Sequence, residues 1–204
     1  DYSLLVDPDI ASASGLWRLW EPLATRPLTN TTFWINYRLG GVSPFGYHLV
    51  SLALHLCAVL LLYGILQSLI SARAALIAAA IFSIHPIQSE AVNYVFERAT
   101  LLAALACLLS LRDWIRGKPW RAVLWFAAAL LAKEECVSFP LFLALLEIGG
   151  KREERSARKW LPLATMVALS AAAGIRVLMA IAATPGAWAG ARAGISRENY
   201  LLTQ

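Results

Sequence analysis

Apolar residues in this chain gather into long, nearly unbroken runs separated by short charged stretches. Residues 45–70 make the clearest run. A helix that crosses the ~30 Å hydrocarbon core of a bilayer takes about 20 residues at 1.5 Å each, and this run is long enough. It stops at Ser71-Ala72-Arg73. Residues 74–84 are apolar but short and end at His85-Pro86, and residues 99–111 form a second short run closed by the charged stretch 112–119. Residues 120–132 lead into Lys133-Glu134-Glu135, and residues 136–148 continue to Gly149-Gly150. After the charged residues 151–159 a last long run covers 160–183.

The pattern predicts an all-α fold, a multi-pass transmembrane helical bundle with short external amphipathic or re-entrant helices. Residues 1–44 are expected to form an external loop with an amphipathic helix. Residues 45–204 are expected to form a transmembrane region of about six membrane segments, truncated at both ends. Residues 85–98, between two short runs, are expected to add helical turns or to dip back into the membrane. Polar backbone survives at that depth only where protein encloses a wet cavity.

Composition agrees with the pattern. The chain is 59% hydrophobic and 15% charged, with mean hydropathy +0.60, whereas soluble domains are about half apolar and a quarter charged. The net charge of +5 does not point to nucleic acid, because the basic residues sit in short clusters between apolar runs and not on one solvated, aromatic-bearing face. They set orientation instead. Alternating the segments places Arg73, the basic residues of 112–121 and those of 151–159 on one side, ten of the eighteen Lys and Arg. That side is expected to be cytoplasmic. The other side receives the N-terminal region, residues 85–98, residues 133–135 and the tail after Thr184. The chain opens at Asp1 without a charged, cleavable leader and is read as partial. Cys57, Cys107 and Cys136 lie in or beside apolar runs with no CxxC pair. They read as buried small hydrophobes and not as a disulfide framework or a zinc site.

Ionisable residues inside membrane segments are costly and default to functional candidates. Glu90, Glu97, Arg98, Lys133, Glu134, Glu135 and Arg176 all fall toward the external half. The plainer alternatives are that Lys133 pairs with Glu134 or a neighbouring helix and that Arg98 snorkels to headgroups. His48 and His55, seven residues apart on one helix face, read as inter-helix hydrogen-bonders, and His85-Pro86 as a helix stop. Trp17, Trp20 and Trp34 fit an interfacial aromatic belt. The acidic N-terminal residues 1–9 and the segment through Arg26-Pro27-Leu28-Thr29-Asn30 read as an external helix and loop. A carboxylate there is either a general base above a membrane cavity or part of a solvated loop.

Several blocks resemble the membrane region of the tetratricopeptide-repeat O-mannosyltransferases and their bacterial relatives. They are Arg26-Pro27-Leu28 with Asn36-Tyr37, Pro44-Phe45-Gly46-Tyr47-His48-Leu49, and His85-Pro86-Ile87-Gln88-Ser89-Glu90-Ala91-Val92. Lys133-Glu134 with Phe139-Pro140-Leu141, and Tyr200-Leu201-Leu202-Thr203-Gln204, complete the set. The third block is the most specific. Phe96-Glu97-Arg98-Ala99-Thr100 departs from the family's usual Ser-Gly-Arg-Lys-Asp-like stretch.

The resemblance implies a GT-C glycosyltransferase, in which a polyprenyl-phosphate-linked sugar is the donor and a protein or glycan hydroxyl the acceptor. It implies that Asp1 is the second member of an acidic pair in the first external loop and the general base, with Glu90 second. Arg98, Lys133 or Arg176 would stabilise the departing phosphate, and these three with Arg26, His85, Gln88 and Glu134 form the expected substrate-binding set. Some relatives use a divalent metal and others do not, and no ligand cluster is evident. The expected location is an integral membrane, either the bacterial inner membrane with the active side periplasmic or the endoplasmic reticulum. A fragment of this kind is expected to be inactive alone. The competing readings are a transporter or flippase and an anchor for a repeat domain. A transporter needs a polar route to the inner side, where Glu147 alone is a candidate.

Overall fold

The computed structural model describes residues 8–12, 15–21, 24–149 and 160–183, and every regular element among them is helical. Two short helices, α1 (Pro8–Ala11) and α2 (Gly15–Arg18), lead to α3 (Pro27–Gly40). Then come α4 (Pro44–Gln67), α5 (Ala72–Ile84) and α6 (Gln88–Asn93). A 3₁₀ turn, Val95–Glu97, opens onto α7 (Arg98–Ile115), followed by α8 (Pro119–Ala132). A second 3₁₀ turn, Glu134–Ser138, precedes α9 (Phe139–Gly149) and α10 (Trp160–Ala183).

Local chemistry sets these boundaries. Pro27, Pro44 and Pro119 each sit in a first turn, where the missing N–H is no loss and φ is already helical. Ser71 caps α5 by accepting from the Ala74 amide at 3.4 Å. Gly41 (φ 59°) and Gly117 (φ 70°) make the turns after α3 and α7 in the left-handed region that favours glycine. Gly46 has a different role, because a Cβ there would stand 3.2 Å from the Asn36 side-chain nitrogen. Its bare Cα lets α4 approach α3.

Two helices are long and apolar enough to cross a membrane, Pro44–Gln67 and Trp160–Ala182, and both are largely unburied, with 22% and 6% of their apolar windows inside the structure. The remaining expected segments are shorter, with 13 residues in α5, 14 in α8 and 11 in α9. By length and composition, two of the six expected segments meet the test. α7 also differs from expectation. It runs to Ile115, through the charged stretch that was expected to end it. Asp113 explains the extension. Its carboxylate accepts from Trp125 Nε1 at 3.1 Å and lies 3.3 Å from Arg121 Nε and 3.8 Å from Arg112 Nε, while its carbonyl accepts the Lys118 amide at 2.8 Å. A buried carboxylate satisfied in this way does not interrupt a helix.

The core joins α7 to α10, with Trp114, Phe126, Leu130, Leu143, Leu163 and Met166 packed together. A second cluster of Ile10, Phe33 and Tyr47 seats α3 on the start of α4. Arg98, the first residue of α7, bonds the Tyr47 carbonyl in the first turn of α4. Those two helices therefore start at the same end. The Arg73 turn and the α7–α8 turn consequently share the opposite end. Residues 151–159, the third cationic loop, lie outside the described residues.

Candidate functional site

At the end where α4 and α7 begin, α3 lies over the bundle and three cationic side chains are gathered beneath it. Arg98 is fully buried. Its Nη1 donates to Asn36 Oδ1 at 2.8 Å and, at 3.4 Å, to Thr32 O and Oγ1, and its Nη2 donates to Tyr47 O at 3.0 Å. The Phe33 ring centroid lies 4.5 Å from its Cζ and that of Tyr47 5.5 Å. Among the described residues no carboxylate takes part. The charge is spread over neutral acceptors and π faces, and Arg98 thereby holds α3 and α4 against α7.

Lys133, 11% exposed at its side chain, donates to Thr100 Oγ1 at 2.8 Å and to Glu97 Oε2 at 3.3 Å, and lies 3.3 Å from Glu135. Thr100 also donates to Glu97. This hydrogen bond is the largest influence on the Glu97 carboxyl and, with the Lys133 bond and charge, holds it below the usual glutamate range against a burial effect in the other direction. Arg26 Nε donates to Glu134 at 3.0 Å, and Thr29 Oγ1 donates to Ala132 O at 2.9 Å beside it. Arg26 is also the one non-glycine among the described residues with positive φ, 50°. A left-handed conformation there costs on the order of 1–2 kcal/mol, and strain of this kind persists where surrounding contacts enforce it. Here Asn30 supplies two, its amide bonding Arg26 O and its side chain bonding Thr25 O, both at 3.0 Å.

The other expected site residues lie elsewhere. His85 ends α5 and its Nδ1 accepts the Ile87 amide at 3.2 Å. With Gln88, His55, Ser89 and Asn93 it lines a groove of about 250 Å³. His55 reaches Ser83 O at 3.1 Å across to α5, and His48 lines an adjoining groove of about 300 Å³. Glu90 is exposed on α6. Arg176 closes one side of a third groove, about 350 Å³, whose other walls are Ala127, Leu130, Leu131, Leu169, Ala172 and Ala173. Asp1 lies outside the described residues. The structure thus brings together Arg26, Arg98, Lys133 and Glu134, and it groups His85 with Gln88. Arg176 stands in a separate, apolar setting. Among the described residues no group of three or more His, Cys, Asp or Glu side chains is arranged to hold a metal ion.

Sequence reasoning missed Asn36, Thr29 and Thr100 as partners in this network. A signal for the first two exists, since Thr29, Phe33 and Asn36 recur at helical spacing on one face of α3 and all three are buried. A polar residue in such a stripe points to a buried partner.

The Glu97 geometry has a pH signature. A carboxyl with a lowered folded value adds stability above its unfolded value of about 4.3, and that contribution is lost as pH falls through the lower folded value. Thermal unfolding in detergent is expected to show a Glu97-dependent contribution at neutral pH that disappears under acid. Glu97→Gln is expected to flatten that part of the profile, and an unchanged profile in the variant would exclude this role for the pair.

The described elements define a class: an all-helical, membrane-associated protein with a cluster of ionisable groups gathered where an added helix lies over the bundle. Residues 22–178 match the family described as dolichyl-phosphate-mannose-protein mannosyltransferase, and the chain belongs to that family. It is 34% identical over 131 residues to protein O-mannosyl-transferase Tmtc1 of Drosophila melanogaster, covering 60% of this chain and 15% of that protein. It is 36% identical over 138 residues to Tmtc2 of the same organism, with the same coverage. To human protein O-mannosyl-transferase TMTC3 it is 30% identical over 136 residues, covering 58% of this chain and 15% of the relative. The chain therefore spans about 15% of the length of these relatives. No solved structure matches.

Proposed function

We propose that the full-length protein is a multi-pass membrane glycosyltransferase. It moves a sugar, mannose or a similar hexose, from a polyprenyl-phosphate carrier to a hydroxyl of a protein Ser or Thr or of a glycan, on the non-cytoplasmic face. The observation that carries this reading is the groove between α8 and α10, six apolar walls and one arginine. An isoprenoid tail fits the apolar walls, and a guanidinium matches the geometry and charge of a phosphate. Family membership supports the same donor class.

In the proposed reaction the acceptor oxygen attacks the anomeric carbon while the bond from that carbon to the phosphate oxygen breaks. The configuration inverts. The electron pair leaves with the polyprenyl phosphate, where Arg176 stabilises the developing charge, and the acceptor proton passes to a carboxylate. Asp1 is assigned as that base, with Glu90 the second choice. The partners of Arg98, Lys133 and Arg26 favour a positioning role for these three, holding the covering helix and the turn after α8 around the reaction space. His85 and Gln88, in a groove with neutral hydrogen-bonding groups, are assigned to sugar or acceptor hydroxyls. No step is routed through a metal. At the other end Asp113 is held by Arg121 and Trp125, and Glu147 accepts from Trp114 Nε1 at 2.8 Å. Inner carboxylates engaged in packing favour an enzyme over a transporter.

The test uses the full-length protein in membranes with labelled polyprenyl-phosphate mannose and a Ser/Thr acceptor. Losing a charge-assisted contact worth about 1.5–3 kcal/mol predicts that Arg176→Ala lowers transfer per unit donor about 10- to 100-fold. Wild-type turnover in the variant would remove this groove from the donor reading, and no transfer of any sugar by the wild-type protein would overturn the function.

A further inference from the structure

We propose that Cys107 and Cys136 are joined by a disulfide in the mature protein, fastening the turn after α8 to α7. The two thiols are 29 residues apart in sequence, on different elements, yet their Sγ atoms stand 3.7 Å apart. That is side-by-side contact, and closing it to the ~2.05 Å of a disulfide takes a movement of under about 2 Å. Both residues are partly buried, and Cys136 packs on the Trp114–Phe126 core. Cys57, by contrast, is exposed on α4.

Position in the bundle supports the assignment. Cys136 follows Lys133 by three residues, its amide reaching Lys133 O at 3.5 Å. It therefore belongs to the end opposite Arg73, Arg112, Arg116, Lys118 and Arg121. Under the orientation proposed above, on which this inference rests, that end faces the non-cytoplasmic compartment, where disulfides form and persist. The chemistry needs an external disulfide as oxidant, of the kind carried by an oxidoreductase or by oxidised glutathione. One thiolate attacks it, forming a mixed disulfide and releasing one reduced thiol. The second cysteine thiolate then attacks the protein sulfur of that mixed disulfide and releases the other. Two protein thiols lose two electrons and two protons, and the external disulfide gains them.

The bond would close a covalent link across the network described above. The 3₁₀ turn Glu134–Ser138 carries Glu134, the partner of Arg26, and directly follows Lys133. α7 carries Arg98 and Thr100. Cross-linking them holds both halves of the charged end in register whatever their ion pairs do.

The experiment takes full-length protein in its membrane, blocks free thiols with N-ethylmaleimide before any detergent is added, digests with trypsin without reductant, and reads the peptides by mass spectrometry. The expected result is that most molecules yield peptide 99–112 joined to peptide 134–151, and that reduction separates the two. Cys136→Ser should abolish the joined species and leave Cys107 carrying maleimide. Maleimide on both cysteines in most wild-type molecules, or either cysteine joined to a different one, overturns the proposal. The readout is covalent state and not sugar transfer, so its failure leaves the transferase proposal standing.

Discussion

Arg98→Ala is expected to release α3 from the bundle. The substitution leaves Asn36 Oδ1 without its donor, takes from Tyr47 O the one bond it makes outside its own helix, and empties the space beside the Phe33 and Tyr47 rings. A buried acceptor left unpaired costs about 1–3 kcal/mol. With the packing lost when a large buried side chain is cut back to alanine, the total is about 3–5 kcal/mol. The loss should be local. Hydrogen exchange is expected to rise across residues 27–40 while residues 119–132, packed on a separate cluster, keep their protection. Arg98→Lys should recover little, because an ammonium on a flexible stem cannot place donors on α3 and α4 as a planar fork does. Unchanged protection in α3 of the alanine variant would show that the guanidinium does not hold that helix.

The second large effect is on chemistry. Asp1→Asn is expected to lower transfer from the labelled donor by about 10²- to 10⁴-fold, the usual contribution of a positioned general base. The amide keeps the shape of the carboxylate and cannot take the acceptor proton. Because the donor's phosphate and tail would bind elsewhere, kcat should fall with little change in donor KM, the pattern of an interaction realised only in the transition state. Membrane insertion should be unaffected. A variant that turns over like wild type removes Asp1 from the mechanism and moves the assignment to Glu90, for which Glu90→Gln is the corresponding test.

Much of the fold was legible because bilayer crossing and helix capping are local properties. Residues 45–70 anticipated α4 to within three residues at either end, and the 160–183 run matched α10. The family was legible in several blocks along the chain, of which residues 85–92 are the most specific. What the sequence hid depends on chain returning from far away. Arg98 reads as a phosphate-facing cation until α3 folds back and supplies Asn36, 62 residues upstream. Asp113 reads as part of a loop until Trp125 and Arg121 come round the turn. The cysteines read as bland because no spacing rule links positions 107 and 136, whereas the pairing of α7 with the turn after α8 does. Lys133 is intermediate: its partner was anticipated as Glu134 or a neighbouring helix, and the partners found are Thr100 on the neighbouring α7, Glu97 just before it, and Glu135, while Glu134 turns to Arg26.

The shortness of α8 bears on the lipid around it. Fourteen residues at 1.5 Å each span about 21 Å, against roughly 30 Å of hydrocarbon, and both ends carry charge, at Lys118 and Lys133. As a membrane segment, α8 falls about 9 Å short. α5, with thirteen residues, falls short by slightly more. Helices in such mismatch draw the bilayer thinner, or are flanked by protein that closes the gap. On the side where Arg176 ends its groove, thinning would lower the headgroup plane toward the guanidinium. A lipid-borne phosphate would then reach the groove by sliding within its own leaflet, with no need to leave the membrane.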